Sequence, residues 1–156
     1  MAKPGATVTV RGPGLGPTLK RLAELAELAA TVGYQGATGA AMAGDAEVST
    51  ATLATIHEFG TDHVPSRPFL RRGADKGSRP AGKAAEQALA LVLEGKLEPA
   101  KGVGRIGEEL AKSVAHELAT AESWSGAALV DDDRSLVDGL SHAVRRRDQL
   151  VGSETT

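Results

Sequence analysis

The segment Ile56–Arg71 constrains this chain more than any other, because it contains both phenylalanines of the 156 residues. Aromatic residues make up 3% of the sequence, so large side chains for a core are scarce. We therefore expect Phe59 and Phe69 to be buried and close together. Gly60 follows the first phenylalanine, and two prolines precede the second. This pattern predicts a rigid corner between two elements of secondary structure.

A short helix is predicted immediately before this corner. Ser49, or the threonine after it, can accept the hydrogen bond that caps a helix start. Leu53, Ile56 and Phe59 then share one face at spacings of three. Gly60 is the natural end of the helix, because the residue after a helix often needs a positive φ.

The loop that follows is expected to be stiff. Pro65 and Pro68 each push the preceding residue towards an extended conformation. Arg67 lies between the two prolines, and we expect its guanidinium to tie the loop to a carboxylate or to backbone carbonyls. Glu58 is one candidate partner. The alternative is a solvated arginine on a loop.

The composition predicts a single domain with a lean core. Hydrophobic residues make up 41% of the 16.0 kDa chain, and many of them are alanine, which contributes little buried area. The net charge of −2 gives no argument for a nucleic-acid or membrane partner, and no apolar run is long enough to cross a bilayer. The absence of cysteine excludes disulfides and thiolate metal sites. We expect a soluble protein made in the cytoplasm.

Hydrophobic periodicity and turn residues predict an α+β fold, with a small, mostly antiparallel sheet packed against two or three longer helices and with long loops rich in glycine and proline. The longer helices are predicted at about 18–32, 80–94 and 105–121. Strands are predicted at 7–10 and 32–38, and loops at 39–45, 72–82 and 102–104. We expect one domain over residues 1–145, a second compact unit within it at 128–144, and a disordered tail at 146–156.

The corner also resembles a known family segment. The residues that carry the likeness are His57, Glu58, Phe59, Gly60, Pro65, Arg67, Pro68, Phe69 and Leu70. They are similar to the "HEFG…P-x-RPFL" segment of tailed-bacteriophage tail-completion proteins, small head–tail joining proteins of the neck and upper tail that are also described as virion morphogenesis or minor tail components.

A second block resembles the end of the same family. Residues 128–140 are similar to the family pattern "PL-x-DTG-x-L-x-x-SI", with Leu129, Asp131, Leu136 and Leu140 in matching places. The sequence departs from that pattern where aspartates replace threonine-glycine and where Ala128 replaces proline. The likeness spans roughly residues 7–145.

The resemblance implies a virion structural protein of a tailed phage or prophage. Its subunits would form a homo-oligomeric ring, a hexamer by analogy, that caps the tail tube or docks it to the head connector. The implied partners are the tail tube protein and connector or stopper proteins, with no membrane, no cofactor and no catalysis. Two alternatives remain: a monomeric minor tail or tail-assembly protein, and a small hydrolase that uses His57 and Glu58.

Motifs for metal or nucleotide binding are incomplete. His57-Glu58 begins like a zinc-binding helix, but Thr61 stands where the second histidine is required. The glycines of segment 12–16 alternate with a proline and read as a linker rather than as a nucleotide loop. Asp131–Asp133 lack the spacing of a calcium loop and read as a solvated turn. We therefore expect no metal and no cofactor.

One cluster of positive charge follows the corner. It comprises Arg71, Arg72, Lys76, Arg79 and Lys83. Lysine and arginine suffice to neutralise phosphates, so the cluster could contact packaged DNA without sequence preference. It could equally meet an acidic face of the next subunit, such as one carrying Asp131–Asp133, or remain solvated.

Overall fold

The computed structural model describes residues 14–42, 48–120 and 135–148. These residues form eight elements, which are α1 (Leu15–Glu27), β1 (Leu28–Gly33), α2 (Gly36–Ala40), α3 (Thr50–Phe59), α4 (Phe69–Leu93), α5 (Pro99–Thr120), α6 (Ser135–Gly139) and β2 (Ser141–Arg146). The predicted strand at 7–10 and the acidic run at 131–133 lie outside the described residues.

The two strands form an antiparallel sheet that lies over α5. Leu28 pairs with Arg146 at one end of the sheet, and Gly33 pairs with Ser141 at the other. Helices α4 and α5 form the most extensive contact between elements, and both strands pack on α5. The predicted fold class, a small antiparallel sheet against long helices, is therefore confirmed.

The glycine-rich stretch 72–82 is part of α4, so its interpretation as a loop was wrong. A Cβ atom on Gly73 would lie 2.5 Å from Cα of Val114, and one on Gly77 would lie 2.9 Å from Cβ of Ser113. These glycines let α4 approach α5 more closely than a side chain would allow. Pro80 lies inside the helix rather than at its start. Tertiary packing has overridden the low helix propensity of glycine.

The predicted loop at 102–104 is also helical. Gly102 is buried in α5, where an added Cβ would lie 3.2 Å from Cγ2 of Val92. Helix α5 therefore begins at Pro99, six residues before the predicted start at Arg105. Proline is tolerated there because the first residues of a helix have no intrahelical partner for their N–H groups.

The first helix is shorter than its periodicity predicted. It ends at Glu27, and Leu28–Gly33 forms a strand where the helix was expected to continue. These residues form a strand rather than a helix because they pair with β2, which is distant in sequence and supplies their backbone hydrogen bonds. The strand predicted at 32–38 thus begins earlier, and Gly36–Ala40 is a short helix. At the other end, β2 includes Arg146, the first residue of the predicted tail.

Phe69 is at the centre of the core, as predicted. It is fully buried among Ala54, Val114, Leu118 and Leu136, each of which is at most 2% exposed. The ring of Tyr34 meets it edge-on, with ring centroids 6.4 Å apart and planes at 77°.

Tyr34 ties α6 to this core. Its hydroxyl donates a hydrogen bond of 2.7 Å to the carbonyl oxygen of Leu136. Burial raises the pKa of Tyr34 well above its usual range. The phenol therefore stays protonated and keeps its role as a donor.

Phe59, by contrast, is not in the core, so the prediction that both phenylalanines are buried was wrong. Its side chain is 66% exposed. The buried positions of α3 are Thr50, Ala54 and Glu58, at spacings of four, rather than the face that ends at Phe59. The helix is rotated so that a carboxylate, not an aromatic ring, faces inward at its end.

Candidate functional site

The corner is built on the glycine that ends α3. Ser49 caps the start of this helix by accepting a hydrogen bond from the amide of Thr52, as predicted. Gly60 has a φ of 76°, and its amide donates to the carbonyl of Ile56 at 2.7 Å. A Cβ at this position would lie 2.7 Å from the nitrogen of Ser66. Both the conformation and the close approach therefore require glycine.

The loop folds back on the last turn of α3. The amide of Arg67 donates to the carbonyl of His57 at 2.6 Å, and the hydroxyl of Ser66 donates to the carbonyl of Glu58 at 2.9 Å. Carbonyls at a helix end have no intrahelical partner, and here the loop satisfies two of them. The loop is thus fixed to the helix that precedes it.

Glu58 joins α3 to α4. Its carboxylate is buried and accepts hydrogen bonds from the amides of Leu70 at 2.9 Å and Arg71 at 3.2 Å. These amides belong to the first turn of α4, where an anion is favoured by unpaired N–H groups and by the helix dipole. The Nε of Arg71 lies 4.0 Å from the same carboxylate. Glu58 thus caps the next helix, whereas the sequence had suggested Arg67 as its partner.

Arg67 and His57 lie on the inner side of the corner. Arg67 is 8% exposed, so the alternative of a solvated arginine was wrong. Nδ1 of His57 is buried and makes no hydrogen bond. Burial, and then the positive charge of Arg67, hold the pKa of His57 below its ordinary value of 6.5. The imidazole is therefore neutral at pH 7.

The predicted basic cluster lies on one helix. All five side chains are exposed on α4, and helical spacing places four of them on one face. We call this face the basic stripe; it comprises Arg72, Lys76, Arg79 and Lys83. At 1.5 Å per residue it is about 16 Å long. Arg71 is directed instead towards Glu58.

Lys76 of the basic stripe forms an ion pair with a residue of α5. Its ammonium group contacts a carboxylate oxygen of Glu117, a side chain that is 1% exposed, while Lys76 itself remains largely exposed. The pair links α4 to α5, so part of the charge of Lys76 is already neutralised within the protein.

Helix α1 carries an exposed apolar surface. The side chains of Leu15, Leu19 and Leu22 are 78%, 60% and 40% exposed. They share one face of the helix, which we call the leucine stripe. The helix is held to the body of the protein from another side, where Arg21 donates to the carbonyl of Leu93 at 3.4 Å. The spacing of these leucines is visible in the sequence, but spacing alone does not show that they face away from the core.

Comparison with known proteins gives no neighbour for this fold. No protein-family model matches the chain, and neither a curated protein nor a solved structure matches it. Among residues 14–42, 48–120 and 135–148, no helix is both long and apolar enough to span a membrane. The same ranges contain no group of three or more histidine, aspartate or glutamate side chains placed to hold a metal ion.

Proposed function

We propose that this protein is an assembly subunit of a tailed-phage or prophage virion, a tail-completion or head–tail joining protein that forms a ring in the neck or upper tail. The phage assignment is supported by the resemblance of the corner. Assembly is supported by one observation above all, the exposed leucine stripe on α1.

The leucine stripe favours a partner because its exposure is costly in water. Burying a leucine side chain contributes about 1.5–3 kcal/mol, and three of them lie along one helix face. Contiguous apolar surface of this kind is typical of protein interfaces. The core, in contrast, relies on few large side chains, so association would add burial that the monomer lacks.

The corner supports a structural role for the family-like residues. Gly60, Glu58 and Ser66 position the backbone between two helices, and Phe69 fills the core. The carboxylate of Glu58 accepts two backbone hydrogen bonds, which disfavours its use as a general base. This arrangement weakens the alternative of a hydrolase that uses His57 and Glu58.

The proposal is tested by the oligomeric state of the purified chain. We expect analytical ultracentrifugation to show a closed oligomer and negative-stain images to show rings, because contacts that close by rotation produce rings. A chain that stays monomeric alone but binds isolated tail tubes or head connectors would support the minor tail protein alternative. A chain that neither assembles nor binds them would refute the virion role.

The basic stripe is the part of this subunit best suited to contact packaged DNA. Four cations on one helix face can neutralise phosphates, and no aromatic side chain lies among them to stack on single-stranded bases. The competing partner is an acidic face of a neighbouring subunit. The two partners are distinguished by how the affinity for duplex DNA and the self-association each change with salt concentration.

A further inference from the structure

Two apolar clefts lie end to end between β1 and α4, above α5. The first has a volume of about 470 Å³ and lies beside Phe59. The second has a volume of about 370 Å³ and lies beside Leu89. Ala30 and Leu110 line both clefts, so the two meet. We call the combined feature the β1–α4 groove.

The groove has the dimensions of a short helix. Its floor on α5 extends from Gly102 to Val114, which is about 18 Å at 1.5 Å per residue. The middle of its lining is apolar, with large side chains such as Leu28, Leu89 and Leu110, and charged side chains lie at its edges, namely Glu58, Arg71 and Arg147. Six small residues interrupt this lining and leave room for large side chains from outside; they are Ala29, Ala30, Ala74, Ala85, Ala88 and Gly102.

The leucine stripe has matching properties. From Leu15 to Ala26 the face is about 16 Å long, and it consists of leucine and alanine. Helical spacing directs Lys20 and Glu24 away from it. The stripe thus offers large apolar side chains without charge, and the groove offers a mostly apolar surface of similar length with space above its small residues.

Resting on the proposed function, we infer that the leucine stripe of one subunit docks in the β1–α4 groove of the next copy of this chain. The described residues of its own subunit leave the stripe exposed, so a second copy of the chain can cover it. Two different surfaces on one chain make a heterologous contact, which closes into a ring when the rotation between subunits allows.

The inference is tested with one variant on each surface. Leu19→Glu places a charge on the stripe, and Ala74→Glu places one in the groove; both positions are exposed, so the fold should tolerate the changes. We expect each variant to weaken self-association at least about tenfold, because an unpaired charge replaces apolar contact. Lys20→Glu on α1 and Ala90→Glu on α4 are controls that lie off these surfaces and should assemble like the wild type.

Mixing the two variants gives the decisive measurement. The Leu19→Glu chain keeps an intact groove, and the Ala74→Glu chain keeps an intact stripe. An equimolar mixture should therefore form a heterodimer in analytical ultracentrifugation, but no ring. Cysteine placed at Leu19 in one chain and at Ala74 in the other should form a disulfide in the mixture and not in either chain alone, since the natural sequence has no cysteine.

Several results would overturn the inference. They are wild-type-like assembly of both variants, a mixture that stays monomeric, and a wild-type chain that is monomeric at every concentration. Loss of assembly on deleting residues 1–13, with Leu19→Glu unaffected, would show that the N-terminal segment occupies the groove. Rings or tail-tube binding that persist in both variants would leave the proposed function standing without this contact.

Discussion

At the scale of single residues, the two phenylalanines should contribute very differently to stability, because one is buried and the other is exposed. Phe69→Ala should lower the free energy of unfolding by about 3–5 kcal/mol, because it empties a fully buried site. Phe59→Ala should change it by less than about 0.5 kcal/mol, because that ring is 66% exposed. Urea denaturation of the two variants measures both effects. Equal losses would contradict the placement of Phe59 at the surface.

Glu58 is expected to matter for folding rather than for catalysis. Glu58→Ala removes the acceptor of two amide hydrogen bonds at the start of α4, and should cost about 1–3 kcal/mol of stability. Glu58→Gln keeps one oxygen and should cost less. Thermal unfolding of the wild type, Glu58→Gln and Glu58→Ala measures the order of their stabilities. A Gln variant as unstable as the Ala variant would mean that the negative charge itself, rather than an acceptor atom, is required.

His57 should make stability depend on pH. Its folded pKa lies below the ordinary 6.5, so near pH 6 the unfolded chain binds more protons than the folded one. The stabilising effect of the neutral imidazole is complete above pH 6.5 and is lost as the pH falls through the folded pKa. We expect the melting temperature to drop between about pH 7.5 and 5.5, and this drop to shrink in His57→Gln.

A matched histidine provides the control for this pH dependence. His63 lies four residues after α3 and is exposed. His63→Gln also removes one histidine, but from an exposed site, so its melting temperatures over the same pH range are the reference for those of His57→Gln. If both variants lose the dependence equally, or neither does, the half-buried imidazole of His57 is not its source.

At the scale of elements, two glycines in α4 should respond in opposite directions to the same substitution. Gly73→Ala should destabilise the protein by about 1–3 kcal/mol, because the new methyl group would overlap the backbone of Val114. Gly82→Ala should stabilise it by about 0.5–1 kcal/mol, because nothing lies within 4 Å of the added atom and alanine favours a helix. Chemical denaturation compares them. A stabilising Gly73→Ala would contradict the close approach of α4 and α5.

The same glycines show that the sequence predicted local structure correctly but not the structure that depends on long-range contacts. The short helix, its serine cap and its glycine end were predicted correctly, because these signals lie within a few residues of one another. The stretch 72–82 was misread because the need for glycine arises from α5, about forty residues further along the chain. Pairing of β1 with β2 is likewise a long-range contact, and it ended α1 before its periodicity did.

Only the local features of the corner were predicted, because its other features depend on contacts with distant parts of the chain. Gly60 and the stiff loop could be read from the local sequence. The rotation of α3, which buries Glu58 and exposes Phe59, depends on where α4 begins. The exposure of the leucine stripe depends on how α1 lies on the whole protein, which no local pattern encodes.

At the scale of the whole molecule, the apolar and basic surfaces should behave differently with salt. A ring held by the leucine stripe and the β1–α4 groove buries apolar area, so its assembly should hardly change between 0.05 and 0.5 M salt, about the range in which surface charges become screened. Analytical ultracentrifugation at both concentrations measures this. An assembly that dissociates at high salt would point to the basic stripe and an acidic neighbour as the subunit contact.

DNA binding by the basic stripe should instead fall steeply with salt. Each neutralised phosphate contributes a slope of about −0.9 in the logarithm of affinity against that of salt. Lys76 is partly engaged by Glu117, so the expectation rests on Arg79 and Lys83, which together contribute a slope of roughly −2 for a duplex. The double variant Arg79→Gln/Lys83→Gln should reduce the magnitude of this slope by about 2. Lys112→Gln, on α5, should leave the slope unchanged. Fluorescence anisotropy with a short duplex measures the slope, and a slope that these substitutions leave unchanged would remove the basic stripe as a DNA contact.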